Sequence, residues 1–409
     1  MKIRFTFLIL SIIIVSQTFA QDPNDTEQDD GSRVISTAVP FLTIAPDARA
    51  GGMGDVGAAT TPDAYSLFWN PAKYAFIDKP FGIGIGFVPW LRELVNDIGL
   101  YSVAGYMKIG DRQAVAGSLR FFSMGAVMFT DNDGNDLGEV KPNEWTIDAT
   151  YSRKFSKEFS GAVSGRFIYS NLVPVEIEKL SVRPGTSVAA DVALYYHHVM
   201  EIKGMAGASL DFGLNISNIG AKMSYSSSSI VRDFIPTTLR LGPSFTMDID
   251  EYNKLAISLD ISKLLVPTPP VYLKDYTGAK DSIGTDGKRI IYRGMDPDVP
   301  VVKGMLQSFY DAPYGFKEEM QEVILAASAE YWYNKLFALR AGYFYENKYK
   351  GDRQYFTLGA GLRYNVFGLD FSYLMPVRSN NPLQHTLQFT LLFNFGDNNQ
   401  TEKPGSTSK

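Results

Sequence analysis

The sequence predicts an all-β fold: a 14-stranded antiparallel transmembrane β-barrel with an N-terminal hatch in its lumen. Three observations carry this. From about Phe81 onward, apolar and polar residues alternate with a period of two; the connections between these runs switch between short and long; and the chain opens on an export signal.

The signal comes first. Residues 1–20 place Lys2 and Arg4 before the apolar stretch from Phe5 to Val15, then small and polar residues up to Ala20. That stretch is too short to span a bilayer, so this order reads as a cleaved secretory signal and the chain leaves the cytoplasm. Residues 21–32 are acidic and polar, with nothing to bury, and read as a flexible arm.

The strands follow from alternation. In the run ending at Phe395, Leu387, Phe389, Leu391, Phe393 and Phe395 oppose Gln388, Thr390 and Asn394. Similar runs predict strands near 81–88, 99–109, 113–123, 144–154, 160–170, 186–198, 205–216, 238–249, 254–263, 323–333, 336–346, 354–365, 366–376 and 384–395. Six short turns alternate with seven longer loops, of which 264–322 is by far the longest. An even number of strands with short turns at one end and long loops at the other is the plan of an outer-membrane barrel spanning 81–395. Both termini, including the tail 396–409, are then expected in the periplasm. Tyr331, Trp332, Tyr333 and Phe337 beside a short turn are expected to form part of an interfacial aromatic girdle.

Composition agrees and excludes other classes. Only 20% of residues are charged, against about 25% in a soluble domain. The absence of Cys removes disulfides, thiolate metal sites and a lipoprotein anchor, and a net charge of -5 argues against nucleic acid. No catalytic elbow, phosphate loop or metal-binding histidine spacing occurs, so no enzyme activity, cofactor or metal is expected. His197 and His198 are adjacent on a strand and point to opposite faces. The acidic run 131–136 has its glycine at the wrong place for a calcium loop and reads as a solvated tip.

Residues 33–80 break the period and read as the hatch. Glycines 51, 52, 54 and 57 permit close turns, while Thr61-Pro62 and Asn70-Pro71 each resemble a helix cap followed by proline. Arg120, Arg166, Arg240, Arg340 and Arg363 sit in strands between outward apolar neighbours and are expected to face the lumen and hold the hatch.

Within this segment the run Arg49-Ala50-Gly51-Gly52-Met53-Gly54, then Asp63-Ala64, then Trp69-Asn70-Pro71-Ala72 resembles the N-terminal signature of FadL-like outer-membrane proteins. Within that superfamily the chain most resembles the PorV (LptO) family of the type IX secretion system. The opening Ala38-Val39-Pro40-Phe41-Leu42, the first loop Pro89-Trp90-Leu91 and the terminal Thr390-Leu391-Leu392-Phe393-Asn394-Phe395 carry this resemblance. It implies an outer-membrane carrier rather than a pore. Such a carrier binds secreted proteins through their C-terminal signal domain as they leave a giant translocon barrel. It then hands them to a surface attachment complex that contains a sortase-like peptidase. The alternative implied by the superfamily is a FadL-type channel for hydrophobic solutes.

A plugged barrel of this size is too narrow for a folded protein, so partners must meet its outside. The long loop is the candidate, with Pro267, Pro269, Pro270, Tyr272, Tyr276, Phe309 and Tyr310 as candidate contacts. Its stretch 281–288 reads as flexible and polar, and 315–324 as helix-forming.

Overall fold

Side-chain alternation becomes two chemically opposite faces in the computed structural model, which describes residues 32–93, 95–130, 136–172, 183–225, 232–275, 280–378 and 381–396. The export signal, the arm before residue 32, the 131–135 tip, Tyr276 and the tail from 397 onward lie outside the described residues. Fourteen strands close into one barrel. They are β1 Phe81–Pro89, β2 Ile98–Ile109, β3 Gln113–Met124, β4 Asn143–Lys154, β5 Phe159–Asn171, β6 Gly185–Met200 and β7 Gly207–Gly220. The second half is β8 Thr238–Asp248, β9 Asn253–Leu264, β10 Ile324–Tyr333, β11 Phe337–Tyr345, β12 Gln354–Tyr364, β13 Phe367–Pro376 and β14 Leu387–Phe395. Each pairs antiparallel with its sequence neighbour, and β1 also pairs with β14, from Phe81 opposite Phe395 to Phe87 opposite Phe389. Closure leaves the sheet no unpaired edge.

Ile85, Val103, Leu119, Ile147, Val163, Leu259, Leu339 and Leu358 are exposed on the outside of the wall. Ser102, Asp148, Asp191, Asp260, Glu330 and Asp370 are buried inside it. A soluble barrel would put its apolar face inward; this inversion is what lipid requires of a wall.

Short turns gather at one end. Asn334 and Lys335, with φ of 52° and 55°, make one of them in the left-handed conformation that tight hairpins use. The long connections gather at the other end and carry structure of their own. One holds the hairpin Val127–Thr130 with Asp136–Val140. The longest holds the pair Val271–Tyr272 with Ile291–Arg293 and the helices Val301–Gln307 and Phe316–Gln321. The stretch 281–288, expected to be flexible, is stapled instead. Asp281 accepts from Lys274 at 3.0 Å and from Arg289 at 3.4 Å, and the Gly284 N–H donates to the Lys288 carbonyl at 2.8 Å.

Residues 33–80 run down the lumen once. At the long-loop end the Ala38 N–H donates to the Phe234 carbonyl at 2.8 Å, and Phe41 stacks on Phe122 with centroids 5.8 Å apart. At the short-turn end the Lys108 N–H donates to the Pro80 carbonyl at 2.8 Å, just before β1 begins. The two termini themselves lie outside the described residues. Phe395 lies at the short-turn end, but Arg33 lies at the long-loop end, where its N–H donates to the Tyr349 carbonyl at 3.0 Å. A single pass of the lumen separates the two.

Thr61-Pro62 also differs from expectation. The helical turn starts later, at Ser66–Trp69, and the Thr61 hydroxyl instead accepts from Arg49 Nη2 at 2.6 Å.

Candidate functional site

The hatch is bound to the wall by a chain of buried ions. Arg49 follows the short helix cap at Asp47, whose Oδ2 accepts from the Ala50 N–H at 2.9 Å and whose Oδ1 accepts from Trp69 Nε1 at 2.8 Å. That cap aims Arg49 at the wall. Its Nε and Nη2 donate to Glu330 Oε1 and Oε2 of β10 at 2.9 and 2.8 Å, while Nη1 donates to Asp63 at 2.8 Å. Glu330 Oε1 also accepts from Arg340 Nε at 2.7 Å; Arg340 Nη1 reaches Asp370 Oδ1 at 2.8 Å; and Asp370 Oδ2 accepts from Arg363 Nη2 at 2.6 Å. The sequence Asp63–Arg49–Glu330–Arg340–Asp370–Arg363 thus alternates in sign from hatch to wall. Each buried charge has an opposite partner, which is the condition for keeping charge out of water.

The other lumen arginines behave differently from one another. Arg166 bonds to Asp148, Asp191 and Asn218 and ties β4, β5, β6 and β7 together. Arg240 donates to the Asp55 carbonyl at 2.9 Å and to Asp260 at 3.3 Å, and lies over the Trp69 ring. Asp260 also accepts from the N–H groups of Gly57 and Ala58, at 2.8 and 3.0 Å. Arg120 is buried over the Phe68 ring with Asp148 at 3.7 Å.

Close approach is the second means of attachment. A Cβ on Gly342 would sit 2.1 Å from the Met53 carbonyl carbon, and one on Gly54, where φ is +67°, 2.8 Å from the Tyr343 nitrogen. Gly51 abuts Gln388, and Gly52 packs on Gly359. The Asn-Pro-Ala element then fixes the lower hatch. Asn70 Oδ1 accepts from the Ala72 N–H at 3.0 Å, capping the turn Pro71–Phe76, and its Nδ2 donates to Ala58 and Leu194 carbonyls. The Ala72 carbonyl accepts from Ser160 and Ser152 of the wall at 2.7 and 3.2 Å.

Trp332 corrects the girdle expectation. Strand period two puts it on the Glu330 side, inside the barrel, where it lies beneath the guanidinium groups of Arg340 and Arg363, 5.5 and 5.3 Å from the ring centroid. Tyr333 and Phe337 are exposed on the outside, and Tyr331 bonds to Asn253.

At the long-loop end a second ion cluster latches the cap. Glu318 accepts from Lys350 and Arg33, both at 2.7 Å, and Glu322 accepts from Lys350 at 2.9 Å and from the Thr268 hydroxyl at 2.6 Å. Lys263 at the top of β9 reaches Glu319 at 3.1 Å and also bonds to Glu322. Burial works to raise the Glu318 pKa, but the bonds from Arg33 and Lys350 outweigh it and hold the carboxyl below its ordinary value. Asp311, on the same cap, goes the other way: burial, with Glu319 and Glu322 nearby, pushes it up to about 6 despite the bond from the Thr268 N–H.

The candidate loop contacts divide. Pro267 and Pro270 are buried and Pro269 half-buried, so the prolines shape the cap from beneath instead of presenting a surface. Tyr272 lies under Arg289 with 3.8 Å from its ring centroid to the guanidinium carbon. Phe309 and Tyr310 are exposed. The sequence reading missed Val302, Leu306, Phe316 and Met320, exposed apolar residues on the two cap helices. Their i, i+4 spacing was the available signal.

A family model described as "Type IX secretion system protein PorV" matches residues 26–271, well over half of the chain. The chain belongs to the PorV family. The type IX secretion system is therefore its setting, the outer membrane its place, and secretion or transport, not an enzyme class, its category. No curated protein matches the chain. Among solved structures it is similar to a deltaS2S3 mutant of the monoaromatic hydrocarbon channel TodX, with 11% identity, 85% of this chain and 99% of that chain covered, and a TM-score of 0.49. It is also similar to the toluene transporter TodX of Pseudomonas putida, with 12% identity, 85% and 96% coverage and a TM-score of 0.46. A FadL homologue of Pseudomonas aeruginosa shows 11% identity, 89% and 100% coverage and a TM-score of 0.43. The hatch signature and glycine run of this PorV-family chain are the residues that meet the wall.

Proposed function

We propose that the protein is a docking barrel of type IX secretion. It accepts secreted proteins by their C-terminal signal domain as they leave the translocon barrel, and carries them to the attachment complex with its sortase-like peptidase. In this reading the long-loop end is extracellular, and the tail after β14 is periplasmic. One observation carries it: a hatch bonded to the wall along its length crosses the lumen, while the cap above exposes Val302, Leu306, Phe309, Tyr310, Phe316 and Met320. A hatch across the lumen leaves the outside as the working surface for a protein partner, and exposed apolar residues on it are the usual mark of a protein contact. PorV-family membership supplies the secretion setting.

The test replaces Phe309, Tyr310, Phe316 and Met320 together with serine in the tagged protein. Expected are loss of the translocon and signal-domain proteins from the purified complex, and loss of secreted proteins from the cell surface. Unchanged surface attachment with a normally assembled barrel would sink the proposal.

A second reading rests on a cavity of about 320 Å³ lined by Ile35, Leu42, Phe68, Phe344, Arg240 and Arg353, between the hatch and the barrel wall. It could seat an amphiphilic solute, as a channel would. Uptake of such a solute that depends on the protein, with secretion unaffected by its loss, would favour this reading.

A further inference from the structure

We propose that one arc of the short-turn rim, at the ends of β2 to β5, binds the phosphate headgroups of anionic phospholipids in the inner leaflet of the outer membrane. Strand register assembles the arc. Gln113 of β3 lies opposite Arg153 of β4, the Lys154 N–H donates to the Arg112 carbonyl at 2.8 Å, and Lys108 of β2 lies opposite Ala114. Lys157 stands in the turn between β4 and β5. Arg112, Arg153 and Lys157 are exposed, and among the described residues none of the three, nor Lys108, forms an ion pair. Lys154 lies over the Phe76 ring, 4.4 Å from its centroid. Glu158, the carboxylate of the same turn, is already engaged by His198 Nδ1 at 2.6 Å and by the Tyr196 hydroxyl at 3.1 Å, which leaves Asp78 and Asp111 as the other carboxylates of the arc. Unlike the Asp63–Arg49–Glu330 chain in the lumen, these cations do not alternate with anions.

Position selects lipid over a protein. Arg153 shares the outer face of β4 with Tyr151 by strand period two, and Tyr151, Met107 and Ile109 are exposed on the outer wall. The Tyr151 hydroxyl donates to Gln113 Oε1 at 2.6 Å, so the ring faces lipid while its tip meets the polar boundary. The cations follow directly on these last lipid-facing residues, at the level where headgroup phosphates lie. Guanidinium and ammonium groups are the donors that phosphate oxygens accept from most strongly. Along the next part of the rim Glu201, Asp248, Asp250 and Glu251 outnumber Lys203 and Lys254, so the basic character belongs to this arc and not to the whole rim. The inference rests on the reading above only in taking the short-turn end as periplasmic.

The full chain in detergent micelles is titrated with phosphatidylglycerol and with phosphatidylcholine, and bound lipid is counted by native mass spectrometry. The parent is expected to prefer phosphatidylglycerol by about tenfold or more, since each basic residue near a membrane surface adds to the attraction for anionic lipid. Arg112→Gln, Arg153→Gln and Lys157→Gln combined should abolish that preference. Lys203→Gln, Lys254→Gln and Lys335→Gln combined remove the same charge elsewhere on the rim and should keep it. No preference in the parent, or equal loss in both triple variants, overturns the site. Preference retained in the first triple variant overturns it too, and loss of a co-purifying acidic periplasmic protein from that variant would assign the cations to a protein contact instead. The side of the membrane is read separately with Lys335→Cys, since the chain has no Cys of its own. It should react with a maleimide polymer too large for porins only after the outer membrane is permeabilised. Reaction in intact cells would overturn the orientation and the inner-leaflet source together, whatever the micelle titration shows.

Discussion

Arg49 of the hatch and Glu330 of β10 face each other through two parallel bonds, Nε to Oε1 at 2.9 Å and Nη2 to Oε2 at 2.8 Å, with both side chains buried. This fork-on-fork pairing is the geometry in which guanidinium and carboxylate hold each other most strongly. Glu330→Gln removes the carboxylate that Arg49 and Arg340 share. A loss of about 3–5 kcal/mol is expected, because two buried cations lose a counter-charge. Urea unfolding of the barrel in detergent micelles measures it; a midpoint equal to that of the parent would contradict the role of the pair.

Gly342→Ala should prevent the hatch from seating. The new methyl would lie 2.1 Å from backbone of Met53, which no rotamer change relieves. Gly165→Ala is the matched control, since nothing lies within 4 Å of its Cβ position. The heat-modifiable, folded band on a gel should fall sharply for the first variant and be normal for the second.

The cap latch should respond to acid in two opposite senses. Glu318 has an ordinary pKa of 4.5 that is lowered in the fold, so its contribution is complete above about 4.5 and is lost as pH falls through the lowered value. Asp311 is raised from 3.8 to about 6, so its contribution is present below 3.8 and is lost as pH rises through about 6. Limited proteolysis of the long loop across this range should show Glu318→Gln abolishing the loss of protection on the acid side. Asp311→Asn should abolish the loss on the neutral side. Identical profiles for parent and variants would contradict both.

Trp332→Leu should cost about 0.5–2 kcal/mol through loss of the ring beneath Arg340 and Arg363, with Trp332→Phe in between. Tyr333→Leu, one residue on and facing lipid, should leave the detergent unfolding midpoint nearly unchanged. Equal effects at the two positions would place both rings on one face.

The barrel was legible because strand burial has a period that sequence displays directly. Strand limits differ from expectation by only a few residues, as at β7, which begins at Gly207 and runs on to Gly220. What was not legible came from contacts between segments far apart in the chain. Glu330 carried no local signal, since its partners Arg49 and Arg340 are set by the hatch path and by the neighbouring strand. Trp332 was misplaced because composition near a turn outweighed a strict count of two along β10. The cap latch joins Arg33, Lys263, Glu318 and Lys350 across more than three hundred positions of sequence, and no local pattern announces such a meeting.

The pairing of β1 with β14 joins the first barrel strand to the last, around a hatch that precedes both in the chain. A cork can be pushed into a finished bottle, but not here. The glycine contacts at Met53 and Tyr343 and the ions at Glu330 lie deep inside a ring that has no door. The hatch contacts and the closing seam are therefore expected to form together. Defects in residues 33–80 should therefore surface as a shortage of finished barrels, ahead of any fault in what a finished barrel does.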